Sequence, residues 1–270
     1  MSHTTPLHRF AQLVSTGDSV APQGPVRLGV DLGTGNIVLA AVDGTDAPIA
    51  GASVHSTVVR DGVVVDWLGA VKAVRGLKEV VEARLGVRFD SAAVAVPPGI
   101  DAGTSKVFNN VVEASGLEVL EVVDEPVAAA TALGVQTGAV IDVGHGTTGV
   151  SILRDGVVQA SIDEATGGHH MTLVIAGALG MGYEDAELFK RDPANADLVF
   201  GVVRPTLEKM ATIAARALEG QADLPIHLVG GASSLPGTAQ VFSAVIGAPV
   251  TASPDPLFPT PLGTAMRRTS

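Results

Sequence analysis

The sequence predicts an α/β protein of two similar lobes facing one cleft, and three observations predict it. Apolar runs of strand length alternate with segments of helical period, which is the pattern of layered α/β structure. A Gly-rich hairpin motif, Val30-Asp31-Leu32-Gly33-Thr34-Gly35, returns as Ile141-Asp142-Val143-Gly144-His145-Gly146, so the chain carries an internal repeat. A third strand-length run then meets a glycine pair, Leu228-Val229-Gly230-Gly231.

Residues 1–25 stand apart. Pro6, Leu7, Phe10, Leu13 and Val14 fall at helical spacing, and a polar stretch over 15–25 follows. This reads as a short amphipathic helix and a linker. The helix either packs on its own domain or serves as a docking peptide, and the shortness of its stripe favours the first. Strands are expected over 27–31 and 37–42 around the first Gly-rich turn, then over 51–60 and 63–66 about an Asp61-Gly62 turn. Leu68, Val71, Val74, Leu77, Val80, Val81 and Leu85 predict a helix over 68–85. A strand at 92–96 ends on Pro97-Pro98, and a helix at 105–115 closes on Gly116. A strand at 119–123 and a helix at 125–133, closed by Gly134, complete the first half.

The second half repeats the scheme, with strands at 139–142, 149–153 and 157–164 and helices at 171–179, 183–191 and 199–218. A strand at 226–229, a helix at 236–245, a short strand at 249–251 and a helix at 262–268 close it. The expected division is an N-terminal helix and linker over 1–25, a first lobe over 26–136 and a second lobe over 137–251. The closing segment, 252–270, packs back on the first lobe.

Composition narrows the function. Hydrophobic residues make up 46% of 270 and charged residues 17%, enough apolar material for a sizeable core. A net charge of −11 without a Lys/Arg cluster argues against nucleic-acid and anionic-lipid partners. Cysteine is absent, which excludes disulfides, thiolate metal sites and Cys nucleophiles and fits a cytoplasmic setting. No run reaches the roughly 20 apolar residues of a membrane span, and no signal peptide is visible.

The repeated hairpins carry the chemistry. In each, an apolar strand delivers one carboxylate, Asp31 or Asp142, at its end. Glycines then let backbone N–H groups approach a phosphate, and Thr34, Asn36, Thr147 and Thr148 add side-chain donors. A carboxylate repels phosphate directly but fits a hydrated Mg²⁺, which keeps several waters and takes one or two carboxylates. Two such carboxylates facing one another also require a cation between them. One hairpin alone is an ordinary turn; two in register, followed by Gly230-Gly231 and Ser233 at a strand-to-helix turn, point to a metal–nucleotide cleft.

The order of first phosphate hairpin, connecting segment, second phosphate hairpin, Gly-Gly loop and final helix resembles the actin and DnaK-type ATPase superfamily. Within it, the chain resembles the EutJ family of chaperone-like ethanolamine-utilisation proteins. The resemblance runs from Val26 to Met266 and is carried by residues 58–62, Gly69-Ala70-Val71, Asp124-Glu125-Pro126, residues 164–170 and Thr260-Pro261-Leu262. It implies an actin-like ATPase fold of two ribonuclease H-like lobes without large insertions. It also implies ATP or ADP with Mg²⁺ as ligand. Asp31 and Asp142 would hold the metal through water, while Gly33, Thr34, Gly35 and Asn36 would cradle phosphate opposite Gly144, Gly146, Thr147 and Thr148. Glu125 would orient the attacking water, with Asp142 and Thr147 beside it. Glu187 and Lys190 would touch the ribose and adenine, and Gly230, Gly231 and Ser233 would line the adenosine. Spacing alone reads Glu187 and Lys190 as an exposed i,i+3 ion pair.

Departures from the family pattern bear on activity. His145 stands where relatives usually have Gly, and reads as a solvent-facing turn residue or as a ring that reaches phosphate, the first being preferred. The Lys that polarises phosphate in DnaK-type proteins has Lys72 as its nearest candidate by position, inside a helical pattern. Without that Lys, hydrolysis is expected to be slow. The stretch between Lys190 and Gly230 is too short for the insertions that close over adenine, and no peptide-binding module follows Ser270. His169-His170 suits a helix start facing the cleft better than a metal site. The resemblance implies a role in ethanolamine catabolism, with that pathway's enzymes or microcompartment shell proteins as partners. Rival readings are a small-molecule kinase, for which Asp124 is the candidate general base, and a non-hydrolysing interaction protein.

Overall fold

The computed structural model describes residues 5–60, 62–221 and 223–268. Helix α1 (Pro6–Thr16) opens on Thr5, whose hydroxyl oxygen accepts from His8 N–H at 3.2 Å, and closes on Gly17. It buries Leu7, Phe10 and Leu13, chiefly against β3 (Pro48–His55), so this helix packs on its own domain. Phe10 also meets Phe258 edge-on at 5.4 Å between ring centres.

Strands β1 (Arg27–Leu32), β2 (Asn36–Val42) and β3 form an antiparallel meander. A two-residue hairpin follows, β4 (Val59–Arg60) and β5 (Val63–Val64), with Asp61 of its expected turn outside the described residues. Helix α2 (Trp67–Leu85) starts at the Asp66 cap. Strand β6 (Ser91–Val96), helix α3 (Ala102–Ala114), strand β7 (Glu118–Asp124) and helix α4 (Glu125–Leu133) complete this half. The sheet order is β3-β2-β1-β6-β7, with β6 parallel to both β1 and β7.

The second half builds the same sheet again. Strands β8 (Gly138–Val143), β9 (Thr148–Arg154) and β10 (Val157–Glu164) form the meander. Helices α5 (Gly168–Leu179), α6 (Tyr183–Arg191) and α7 (Ala196–Ala217) lead to β11 (Ile226–Val229), α8 (Thr238–Ile246), β12 (Val250–Ala252) and α9 (Pro259–Met266). The order β10-β9-β8-β11-β12 matches the first sheet strand for strand, with β11 parallel to β8 and β12.

Period-2 alternation divides each sheet between two cores. Val30, Leu32 and Leu39 face α2 and α3, while Val38, Ala40 and Val42 face α1 and α9. In the second sheet Ile141, Val143 and Ile152 face α5, α7 and α8, while Val140, Leu153 and Val229 face α4. Thus α9 covers the first sheet, α4 covers the second, and the two helices press on one another between them. The backbones nearly touch there, since a Cβ on Gly263 would lie 1.7 Å from the Ala128 carbonyl oxygen.

Some boundaries differ from the pattern in the sequence, each for a local reason. The strand expected over 51–60 begins at Pro48 and breaks after His55. Buried Ser56 turns its N–H to Gly35 O at 3.2 Å and its hydroxyl oxygen to Val58 N–H at 3.3 Å, leaving the ladder. Helix α5 starts at Gly168, because His170 Nδ1 accepts the Gly167 N–H at 3.2 Å. The turn after β11 is a 3-10 segment, Gly231–Ser234, and delays α8 to Thr238. Pro259 and Pro261 occupy the first turn of α9, where a missing N–H costs nothing.

Candidate functional site

Because the two sheets repeat, β1 and β8 end at corresponding places and deliver Asp31 and Asp142 toward each other. They lie at one end of a cavity of about 700 Å³. Glu125, the first residue of α4, lies beside them. Burial pushes the Asp31 carboxyl well above the ordinary range, and the neighbouring Asp142 pushes it further. Asp142 is also raised by burial, against the Thr260 hydroxyl that donates to its Oδ2 at 2.7 Å. Glu125 is raised by burial first, then by Asp142 and Asp31. Two buried carboxyls and the half-buried Glu125 share this end, and among the described residues no Lys or Arg offsets their charge. The cations of the wall, Lys190 and Arg191, belong to α6 at the other end. Such a cluster binds protons or a cation.

The donors around the carboxyls suit a hydrated metal and phosphate. Gly33, Thr34, Gly35 and Asn36 line one side, with Gly144, Gly146 and Thr147 opposite. Gly230 closes in behind at φ 88°, and a Cβ there would lie 2.3 Å from Asp142 Oδ1. Among the described residues no three His, Asp or Glu side chains converge tightly enough to grip an ion directly.

At the other end, Glu187 is buried. Lys190 Nζ donates to Glu187 Oε2 at 2.7 Å, Thr172 Oγ1 at 2.6 Å and Gly168 O at 2.9 Å. Arg191 Nε donates to Glu187 Oε1 at 2.7 Å. Burial alone would raise Glu187, but Lys190, Thr172 and Arg191 outweigh it and hold the carboxyl at about 2. Burial lowers Lys190 against the pull of Glu187. The i,i+3 pair that spacing reads as exposed is thus a buried, hydrogen-bonded unit in the cavity wall. Gly231 and Ser234 also line the cavity, with the segment from Pro254 to Phe258.

Two expected ligand contacts turn away. Thr148 is fully buried as the first residue of β9, and its hydroxyl donates to Thr166 O at 2.6 Å. Ser233 donates to Gly230 O at 2.7 Å inside its own turn, and Ser234 takes the place on the cavity wall. Lys72 is exposed on α2 and does not line the cavity. Asp124 is half-buried and bonded to Ser161, also off the wall.

His145 is not a solvent-facing turn residue. Its ring lies in the cavity wall, with Nε2 3.2 Å from the Tyr183 hydroxyl. The same hydroxyl is 2.8 Å from His169 Nδ1. Burial first, and then Lys190, lower His145 to about 4, so the ring is neutral at physiological pH. His169 and His170 serve different partners, Tyr183 and Gly167, with their rings at 78°.

Sequence reading missed several contributors. Thr260 was visible only within a family-like tripeptide, and its bond to Asp142 crosses 118 residues. Asp163, pushed to about 7 chiefly by burial, accepts from the Thr147 hydroxyl and leaves its buried Oδ1 without a hydrogen-bond partner. The Pro254–Phe258 wall has only proline density as its signal.

Comparison with known proteins places this geometry. A family model described as Hsp70 protein matches residues 70–188, and one described as cell division protein FtsA matches residues 139–263. The ethanolamine utilization protein EutJ of Salmonella typhimurium (strain LT2) is 43% identical over 238 residues, covering 88% of this chain and 84% of that one. EutJ of Escherichia coli (strain K12) is 41% identical over 262 residues, covering 97% and 92%. The crystal structure of EutJ from Carboxydothermus hydrogenoformans superposes with a TM-score of 0.91 at 42% identity, covering 97% of both chains. MreB 5 of Spiroplasma citri, solved bound to AMPPNP, shares the fold at a TM-score of 0.72 and 17% identity, covering 91% of this chain and 96% of that one.

Proposed function

The chain belongs to the EutJ family of ethanolamine utilization proteins and has the actin-like ATPase fold without large insertions, and from that premise we propose that it is an ATP-binding accessory protein of ethanolamine catabolism. One observation carries the nucleotide reading. Two duplicated hairpins bring Asp31 and Asp142, both buried, to one cavity with glycine-lined walls on either side. Mg²⁺ with ADP or ATP would supply the positive charge that end lacks. Asp31 and Asp142 would hold the metal through water, Gly33–Asn36 and Gly144–Thr147 would hold phosphate, and Glu187, Lys190, Gly230 and Gly231 would hold the nucleoside. Glu125 is the acid–base group within reach.

Cleft closure between units 26–136 and 137–251, with the closing helix packed back on the first, would carry nucleotide state to a partner. That partner is an enzyme or shell protein of the pathway, in the cytoplasm and associated with a microcompartment. The reading is chaperone-like because binding, rather than rapid turnover, is the output. Preorganised charge carries most phosphoryl-transfer catalysis, and no Lys or Arg among the described residues lines the carboxylate end. Hydrolysis is accordingly slow or weak. The same observation supports the second reading, an interaction protein that does not hydrolyse. A metabolite kinase has less support, since Asp124, its candidate base, is off the cavity wall.

Calorimetric titration with ATP and ADP, with and without Mg²⁺, tests the proposal in the protein and in Asp142→Ala. Magnesium-dependent binding that the variant loses is expected. Absence of binding at millimolar nucleotide overturns it.

A further inference from the structure

We propose that His145 sets the length of phosphate chain the cleft accepts, favouring a nucleoside diphosphate over a triphosphate. This rests on the nucleotide reading above. The starting point is an asymmetry in the repeat, because His145 occupies the position that Thr34 holds in the first hairpin. Its ring does not project into water. A Cβ on Gly35 would lie 2.9 Å from both Cβ and Cγ of His145 and 3.3 Å from its Nδ1. The imidazole therefore lies against the bare face of Gly35 and fills the gap between the two phosphate hairpins.

The ring is held at its far end as well. Nε2 meets the Tyr183 hydroxyl at 3.2 Å, and Tyr183 is in turn held by His169 Nδ1 at 2.8 Å. Hairpin, α5 and α6 thus fix one rotamer between them. A phosphate passing between the hairpins must move the ring, which gives up the Tyr183 hydrogen bond and the contact with Gly35. The neutral ring brings no charge to compensate. Asp31, Glu125 and Asp142 line the same cavity, and among the described residues no Lys or Arg offsets their charge. Each phosphate past His145 therefore displaces a held side chain and adds negative charge opposite carboxylates. A diphosphate carries one phosphate fewer into that gap and incurs less of both costs.

The test titrates the full chain with Mg²⁺–ADP and Mg²⁺–ATP in the wild type, His145→Gly and Tyr183→Phe. The wild type is expected to bind ADP about tenfold more tightly than ATP, the factor that one lost hydrogen bond commands. His145→Gly brings the two within about threefold through a gain for ATP, since removing the ring removes that term. Tyr183→Phe keeps the ring, frees it, and falls between. Equal affinities in the wild type, or an unchanged ratio in both variants, overturn this inference and leave the nucleotide site standing. No binding of either nucleotide to any of the three overturns the nucleotide reading and this inference with it.

Discussion

The Thr260 hydroxyl donates to Asp142 Oδ2 at 2.7 Å, tying the first turn of α9, which covers the first sheet, to the end of a central strand of the second. Both groups are buried. Thr260→Val keeps the shape and removes the donor, leaving one carboxylate oxygen short of a partner. The expected loss is about 1–3 kcal/mol of unfolding free energy, read by urea denaturation. The variant also binds Mg²⁺–nucleotide at a shifted pH, because the hydrogen bond that lowers the Asp142 carboxyl is gone.

Gly263 and Gly76 make an opposed pair. At Gly263 a Cβ would lie 1.7 Å from Ala128 O and 2.6 Å from Ala128 C, so Gly263→Ala must drive α9 and α4 apart. It is expected to destabilise by roughly 3 kcal/mol or more, beyond ordinary overpacking. At Gly76, exposed within α2, a Cβ meets nothing within 4 Å, and Gly76→Ala is expected to stabilise by about 0.5–1 kcal/mol. Thermal unfolding of both variants reads the contrast. A Gly263→Ala protein as stable as the wild type would mean the two helices are not packed as described.

The carboxyl cluster fixes the sign of a pH effect. A carboxyl raised in the fold binds protons more tightly folded than unfolded, so stability falls as pH rises from its unfolded value to its folded one. Asp163, at about 7, and the raised Asp31 place that fall across neutral pH. Asp43 and Glu187, both held at about 2, act in the opposite sense, but their contribution is lost only below about pH 4. His145, lowered to about 4, also opposes, between 4 and its unfolded 6.5. From pH 6.5 to 8 the opposition from His145 and from His227, also lowered by burial, fades as the unfolded imidazoles lose their protons, and stability is expected to drop by roughly 1 kcal/mol per pH unit while one raised carboxyl titrates. Mg²⁺–nucleotide should restore more stability at pH 8 than at pH 6.5. A melting temperature flat over this range, or rising, contradicts the assignment.

These outcomes depend on different amounts of information in the sequence. The order of strands and helices was legible because strands buried on both faces write short continuous apolar runs, with side chains alternating between the two sides, and helices write period 3.6, and Asp31 and Asp142 were legible because the hairpin occurs twice. The side on which Thr148 faces follows from the same alternation, which sends it inward from Thr147. The break after His55 was not legible, since it rests on a bond from Ser56 to Gly35 O. Thr260 and Asp142 likewise meet only in three dimensions. For Ser233, a local 3-10 turn chose between two adjacent serines, which composition cannot distinguish.

Glu187 and Lys190 allow structural and ligand roles to be separated. Lys190→Met leaves buried Glu187 with Thr172 and the half-exposed Arg191 as its partners, and is expected to cost roughly 3 kcal/mol of stability. That loss alone would lower affinity for any ligand by weakening the fold. Glu187→Leu combined with Lys190→Met removes both charges and restores apolar packing, so stability should return close to that of the parent. Contacts to the nucleoside do not return with it. In the double variant, ADP binding measured by calorimetry is therefore expected to stay about tenfold weaker, while inorganic diphosphate, which lacks ribose and adenine, binds as in the wild type. Recovery of ADP affinity together with stability would make the pair structural only, and would move the nucleoside contacts to Gly230, Gly231 and the wall from Pro254 to Phe258.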